Sequence, residues 1–178
     1  MPLSFDPIAE ARRNWEAHAW GAADRMAAAT SITRAHQILL QRIDAALEPH
    51  GLVFSRFEAL ALLSFSRTGS LPLGKIGDRL QVHPTSVTNT IDRLEADGLV
   101  VRVPHPTDRR TTLAELTETG RTLATAAATA LADIGYGLDG MSDLDASRID
   151  TALVALRQAA GDFPADLPDL PDRTNGPH

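Results

Sequence analysis

Residues 83–110, HPTSVTNTIDRLEADGLVVRVPHPTDRR, decide the fold. Pro84 suits a first helical position, Val87, Ile91 and Leu94 recur at helical spacing, and Gly98 stands where a helix commonly stops. The spacing predicts a short helix with one buried face. Near its N-terminus the opposite face carries Thr85, Ser86, Thr88 and Asn89, with no acid before Asp92. A helix N-terminus bears partial positive charge, so this end can approach phosphate. Asn pairs bidentately with adenine, and Ser or Thr bonds to bases or phosphates. Taken alone, the same side chains would also suit a plain solvated helix face.

The residues after Gly98 tip the balance. LVVRV (99–103) is a β-branched run, PHPTDRR (104–110) is a basic, turn-rich tip, and TTLAEL (111–116) is a second extended run. Together they predict a β-hairpin wing. Asp108, two residues before Arg110, is placed to brace that guanidinium. A braced Arg on a narrow hairpin suits the minor groove, whose negative potential attracts it.

The helix and wing in register, with Asp108-Arg109-Arg110, Leu113 and the pair Leu116-Thr117, resemble the MarR family of winged-helix transcription regulators. SVTNTIDRLEADGLV (86–100) is similar to that family's recognition helix and its exit. The resemblance implies a mostly α fold with a small β-hairpin wing, in which a winged helix-turn-helix core is flanked by N- and C-terminal dimerisation helices. The DNA-contacting set expected is Lys75, His83, Pro84, Thr85, Ser86, Thr88, Asn89, Arg109 and Arg110, with Asp108 as the brace of the wing.

A net charge of -6 argues at first against a nucleic-acid partner, and its distribution answers the objection. Residues 1–74 and 75–121 each carry 7 basic and 7 acidic side chains, whereas residues 122–178 carry 3 and 9. The excess acid can therefore sit away from phosphate while the wing tip, with Arg102, Arg109 and Arg110 against Asp108, stays positive. The absence of cysteine excludes disulfides and any thiol-based switch. No uncharged apolar run approaches the roughly 18 residues that span a bilayer, and no N-terminal basic-then-apolar segment is present, so a cytoplasmic protein is expected.

Elsewhere the pattern is helical. Asp6 and Pro7 open a first helix that carries Trp15, His18 and Trp20, and Gly21 breaks it. From Ala22 to Leu47, residues Ile32, Leu39, Leu40, Ile43 and Leu47 trace one stripe, with His36 on it as a satisfied buried histidine. Ser55 and Glu58 form a capping-box signature for the next helix, with Phe57, Leu60 and Leu63 as core. Leu73, Ile76 and Leu80 mark the first helix of a helix-turn-helix, with Gln81 and Val82 as its turn. Thr117 caps a helix bearing Gly120, Leu123, Ala127, Leu131 and Ile134 on one face. Ser142 or Asp143 caps another with Leu144, Ile149, Leu153 and Leu156. The Pro-rich stretch from Asp162 is expected to be disordered.

The expected organisation is N-terminal helices over 6–50, the winged helix-turn-helix over 51–117, C-terminal dimerisation helices over 118–161 and a tail over 162–178. The apolar stripes of the terminal helices exceed what a small module covers, which implies a homodimer reading a pseudo-palindromic double-stranded operator. The function expected is a transcription regulator, a repressor rather than an activator, released by an aromatic, anionic small molecule. Trp20, Arg34 and His36 are its candidate pocket residues, because the long N-terminal helix would run past the dimer junction. No nucleophile elbow, phosphate-binding glycine loop or metal cluster is present, so no enzyme activity, metal or cofactor is expected. The rival reading is a winged-helix protein-interaction module without specific DNA binding.

Overall fold

The fold is taken from a computed structural model, which describes residues 3–108 and 110–164. The chain divides into two units, Met1–Gly137 and Leu138–His178. In the first, helices α1 (Pro7–Ala17) and α2 (Ala23–Leu47) lead through a 3-10 turn, Glu48–His50, to α3 (Phe54–Phe65). Strand β1 (Ser70–Pro72), α4 (Leu73–Leu80), α5 (Pro84–Ala96), β2 (Val100–Pro104) and β3 (Thr112–Leu116) follow. Helix α6 (Glu118–Asp133) and a 3-10 turn, Gly135–Gly137, complete this unit. The second unit holds α7 (Asp143–Ala159), capped by Ser142, whose hydroxyl accepts from the Asp145 amide at 3.2 Å. Among the described residues no helix is long and apolar enough to cross a membrane. Residues 165–178 of the expected tail lie outside the described residues, while Asp162 lies 2.6 Å from Arg157 Nε.

The sheet is antiparallel in the order β1-β3-β2. Its first strand is an addition to the expected hairpin: SLP is too short for alternation to be legible, yet Ser70, Leu71 and Pro72 pair with Glu115, Ala114 and Leu113. Val100, Ala114 and Leu116 turn inward to meet Val87, Ile91 and Leu94 of α5 and Leu60 and Leu63 of α3. Each Val, Leu or Ile among them contributes about 1.5–3 kcal/mol on burial, and the wing and α5 share one core.

Two expectations change, the cap of α3 and the burial of His36. The start of α3 is not a capping box: Ser55 lies inside the helix, and the Phe54 amide instead donates to Asp44 Oδ1 of α2 at 2.8 Å. An acid already fixed on a neighbouring helix satisfies an orphan donor as well as a local Ser does. On α2, only Ile43 and Leu47 of the stripe are buried, Ile32 is 43% exposed, and His36 is exposed rather than buried. The α2 stripe outruns the elements packed on it. The apolar positions of α7 are also open, with Leu144 60% and Leu156 54% exposed.

Two glycines stand at close approaches, and one of them, Gly120, is required there. At Gly77, a Cβ would stand 3.2 Å from Val87 Cγ2, which is how α4 comes against α5. At Gly120, a Cβ would stand 2.1 Å from the Leu99 carbonyl oxygen, a backbone atom that cannot swing away. Gly120→Ala is therefore expected to destabilise the fold by about 1–3 kcal/mol or more by overpacking, measured by urea denaturation. Gly74→Ala, where a Cβ meets nothing within 4 Å, should instead stabilise by about 0.5–1 kcal/mol.

Candidate functional site

The N-terminal end of α5 is exposed on the side its core residues leave free. His83 is its cap, with Nδ1 accepting from the Thr85 amide at 3.2 Å, and Pro84 opens the helix. Thr85, Ser86, Thr88 and Asn89 are exposed, and the Thr88 hydroxyl donates to the Pro84 carbonyl at 3.1 Å. Lys75, on the preceding helix, is exposed as well. The structure thus brings His83 to Asn89 onto one helix end as expected from their spacing.

Acids on the rest of α5 are held internally. Arg102 on β2 reaches Asp92 at 2.6 Å and also binds Glu95, which accepts from the Arg102 amide at 3.0 Å as well. Burial works against the Arg102 charge, but the bonds to Asp92 and Glu95 outweigh it and raise its pKa. Arg56 of α3, 14% exposed, pairs with Asp97 at the end of α5 and donates to the Gly51 carbonyl at 3.1 Å. Arg102, expected at the positive wing tip, is instead spent on the root of the wing.

At the tip the brace works differently from the expectation. The Asp108 carboxylate does not hold the Arg110 guanidinium: Oδ1 accepts from the Arg110 backbone amide at 3.0 Å and Oδ2 from the Thr111 hydroxyl at 2.7 Å. His105 Nδ1 accepts from the Asp108 amide at 3.1 Å. These bonds order the turn, leaving the exposed Arg110 guanidinium with no partner among the described residues. Arg109 lies outside the described residues.

The proposed effector trio is not brought together. Trp20, 65% exposed, packs edge-on to Trp15 at 5.0 Å and lies 5.1 Å from His18, and Trp15 Nε1 donates to the Gly21 carbonyl at 2.8 Å. This aromatic cluster builds the corner between α1 and α2. Arg34 donates to Gln37 at 3.1 Å, and His36 points to solvent.

A cleft instead opens between α3, α6 and α4, with a volume of about 530 Å³. Phe54, Phe57, Phe65, Leu62, Leu80, Ala124, Ala128 and Tyr136 give it an apolar wall, and Glu58 is its charged member. Burial raises the Glu58 pKa. Tyr136 sits in the left-handed region at φ 54 and ψ 32, which costs a bulky residue about 1–2 kcal/mol. The sequence signal for this site was the triple of Phe54, Phe57 and Phe65 around one acid, and it was masked because Glu58 matched a capping pattern. Among the described residues no group of three His, Cys, Asp or Glu side chains could hold a metal ion.

The sequence model of the MarR family matches residues 54–112. The chain is 34% identical over 119 residues to the uncharacterized HTH-type transcriptional regulator YhbI of Bacillus subtilis (strain 168), covering 67% of this chain and 72% of that protein. It is 36% identical over 89 residues to the HTH-type transcriptional regulator MhqR of the same organism, and spans 50% of its own length and 60% of MhqR. Among solved structures it is similar to Sco5413, a MarR family transcriptional regulator from Streptomyces coelicolor, with a TM-score of 0.73 and 50% identity over 80% of this chain and 99% of that one.

The wing tip can be probed by titration. The Thr111 hydroxyl bond, then the Arg110 amide, hold the Asp108 pKa below its ordinary value. A depressed carboxylate contributes stability above its unfolded pKa and loses it as pH falls through the folded one. In Thr111→Val the Asp108 carboxyl, followed by carbon-detected NMR, should titrate closer to the ordinary value.

Proposed function

Because the chain belongs to the MarR family of transcription regulators, we propose that it binds a pseudo-palindromic operator as a homodimer and represses transcription until a small molecule releases it. The observation that carries the reading is the end of α5: exposed Thr85, Ser86, Thr88 and Asn89 at a helix N-terminus, with Asp92, Glu95 and Asp97 engaged by internal arginines. Four short hydrogen-bonding side chains on a positive helix end suit the edges of bases in a major groove. Lys75 adds a phosphate contact, and Arg110, with Arg109 beside it in sequence, enters the minor groove.

The dimer follows from apolar surface. Ile32 on α2 and Leu144, Ile149 and Leu156 on α7 form exposed large hydrophobic positions on two long helices, which a second copy of the chain would cover. A winged helix-turn-helix dimer places two recognition helices in successive major grooves, so protected half-sites should lie roughly 10 base pairs apart. The effector binds the cleft between α3 and α6, in place of the trio Trp20, Arg34 and His36. Its walls belong both to the helices that flank the winged module and to the module itself.

Footprinting and gel-shift titration on the DNA flanking the gene test the reading, and a protein-interaction module would protect no site. Arg110→Ala should leave the fold intact and weaken operator binding by about 1.5–3 kcal/mol, roughly 10- to 150-fold. Asn89→Ala should relax base preference at one position by about 1–3 kcal/mol while leaving binding to unrelated DNA nearly unchanged. Equal losses on every sequence would reduce Asn89 to a phosphate contact.

A further inference from the structure

The cleft beside α3 has an unusual composition for this chain. Three of its 5 Phe residues and its 1 Tyr line it, although aromatic side chains make up only 4% of the sequence. No Lys, Arg or His stands in the wall, and the charged group present is Glu58. Glu58 also lines a second cleft of about 310 Å³ on the other side, formed with Ser86, Val87, Thr90 and Ile91 of α5, and no basic residue lines that one either. Among the described residues the carboxylate has no hydrogen-bonding or ion-pairing partner.

We propose that the effector of this cleft is a lipophilic cation, an ammonium on an apolar or aromatic body, whose charge pairs with Glu58 while its body lies against Phe54, Phe57 and Phe65. The inference rests on the effector role proposed for the cleft and names the ligand's charge class, which is opposite to the aromatic anion expected from the sequence.

The argument is one of compensation. A half-buried carboxylate has lost part of its hydration, and burial alone pushes its pKa up. A cation supplies the missing partner through a charge-assisted hydrogen bond. An anion would bring a second negative charge into the same apolar space with no basic group to meet it. The ring faces add to the preference, because aromatic quadrupoles attract cations and the effect strengthens where water is excluded. Phe54 and Phe57 already lie nearly parallel, 6.5 Å apart and tilted by 20°, and Tyr136 stands at the rim, 46% exposed. Because Glu58 faces both clefts, a cation that holds its carboxylate on the α6 side also fixes what lies behind α5.

The test uses the full chain and two probes with one ring system, 1-naphthylmethylamine and 1-naphthoate, with dissociation constants from calorimetry. The amine should bind at least about 10-fold more tightly than the acid, a difference of about 1.4 kcal/mol. Glu58→Gln should remove that preference by weakening the amine about 10-fold, Glu58→Asp should keep it, and Ala61→Trp, which fills the cleft, should weaken both probes. Equal or tighter binding of naphthoate, an amine preference that survives in Glu58→Gln, or no binding of either probe would overturn the proposal. Operator affinity is read in parallel. Amine binding through Glu58 without operator release would remove the effector role and keep the cation site. Release by naphthoate alone would keep the effector role and overturn the cation.

Discussion

The carbonyl group of Leu99 is the point on which the winged module depends. Its oxygen accepts from the Thr117 amide at 3.1 Å and shares the single Thr117 hydroxyl proton, at 3.1 Å, with the Gly98 carbonyl, and it lies where any side chain at position 120 would have to stand. The same hydroxyl accepts from the Gly120 amide at 3.0 Å and donates to the Gly98 carbonyl at 2.9 Å. One threonine thus caps α6 and ties it to the turn where α5 becomes β2. A few residues away, the Leu116 amide donates to the Gly69 carbonyl at 2.9 Å, fastening the β1 end of the sheet to the same place. Recognition helix, wing and the helix leaving the module meet in a knot of backbone groups. Backbone groups hold position more strictly than side chains, so the angle between α5 and the wing is set by the chain itself.

Charge is arranged on this frame by pairing more than by excess. The winged region is neutral in sum, and a count alone would suit a module that ignores DNA. The pairing adds what the count leaves out: Arg56 and Arg102 are engaged by Asp97, Asp92 and Glu95, all on the C-terminal half of α5 or just beyond it. These acids are engaged within the chain, while Lys75 and Arg110 stay exposed. Cations left free to meet phosphate contribute to counterion release, and those already paired within the chain contribute less. The cost of this scheme is the Arg56 Nε, buried without a hydrogen-bond partner.

What the sequence disclosed follows from what is local. The α5 helix was legible because its start, apolar period and stop all lie within 15 residues, and the wing because a basic turn separates a β-branched run from a second extended one. The short β1 strand was not, since its pairing partners Leu113, Ala114 and Glu115 lie more than 40 positions away. The cap of α3 was misread because its acceptor, Asp44, stands on the preceding helix and outside any local capping pattern. Asp108 was recognised as a brace, but no pattern distinguishes a carboxylate that holds a guanidinium from one that holds a backbone amide. The effector residues were expected along the N-terminal helices because the long helix would run past the dimer junction. The structure leaves Trp20, Arg34 and His36 exposed and gathers the aromatic rings around α3.

Helix α3 then joins the cleft to α5. Its Phe54, Phe57 and Glu58 face the cleft, and Arg56, between them in sequence, holds Asp97 at the end of the recognition helix. A ligand that enters between α3 and α6 acts on the helix whose other contacts orient α5, with no intervening loop to absorb the displacement. Binding shifts an equilibrium only by the difference in affinity for its two states, so a tight ligand that fits both spacings equally would release nothing. The coupling needed is modest. A preference of about 1–3 kcal/mol for the spacing that misaligns the recognition helices changes operator affinity about 5- to 150-fold. A single ion pair formed in one spacing and strained in the other supplies energy of that order, and an unpartnered carboxylate on the shared wall is where such a pair would form.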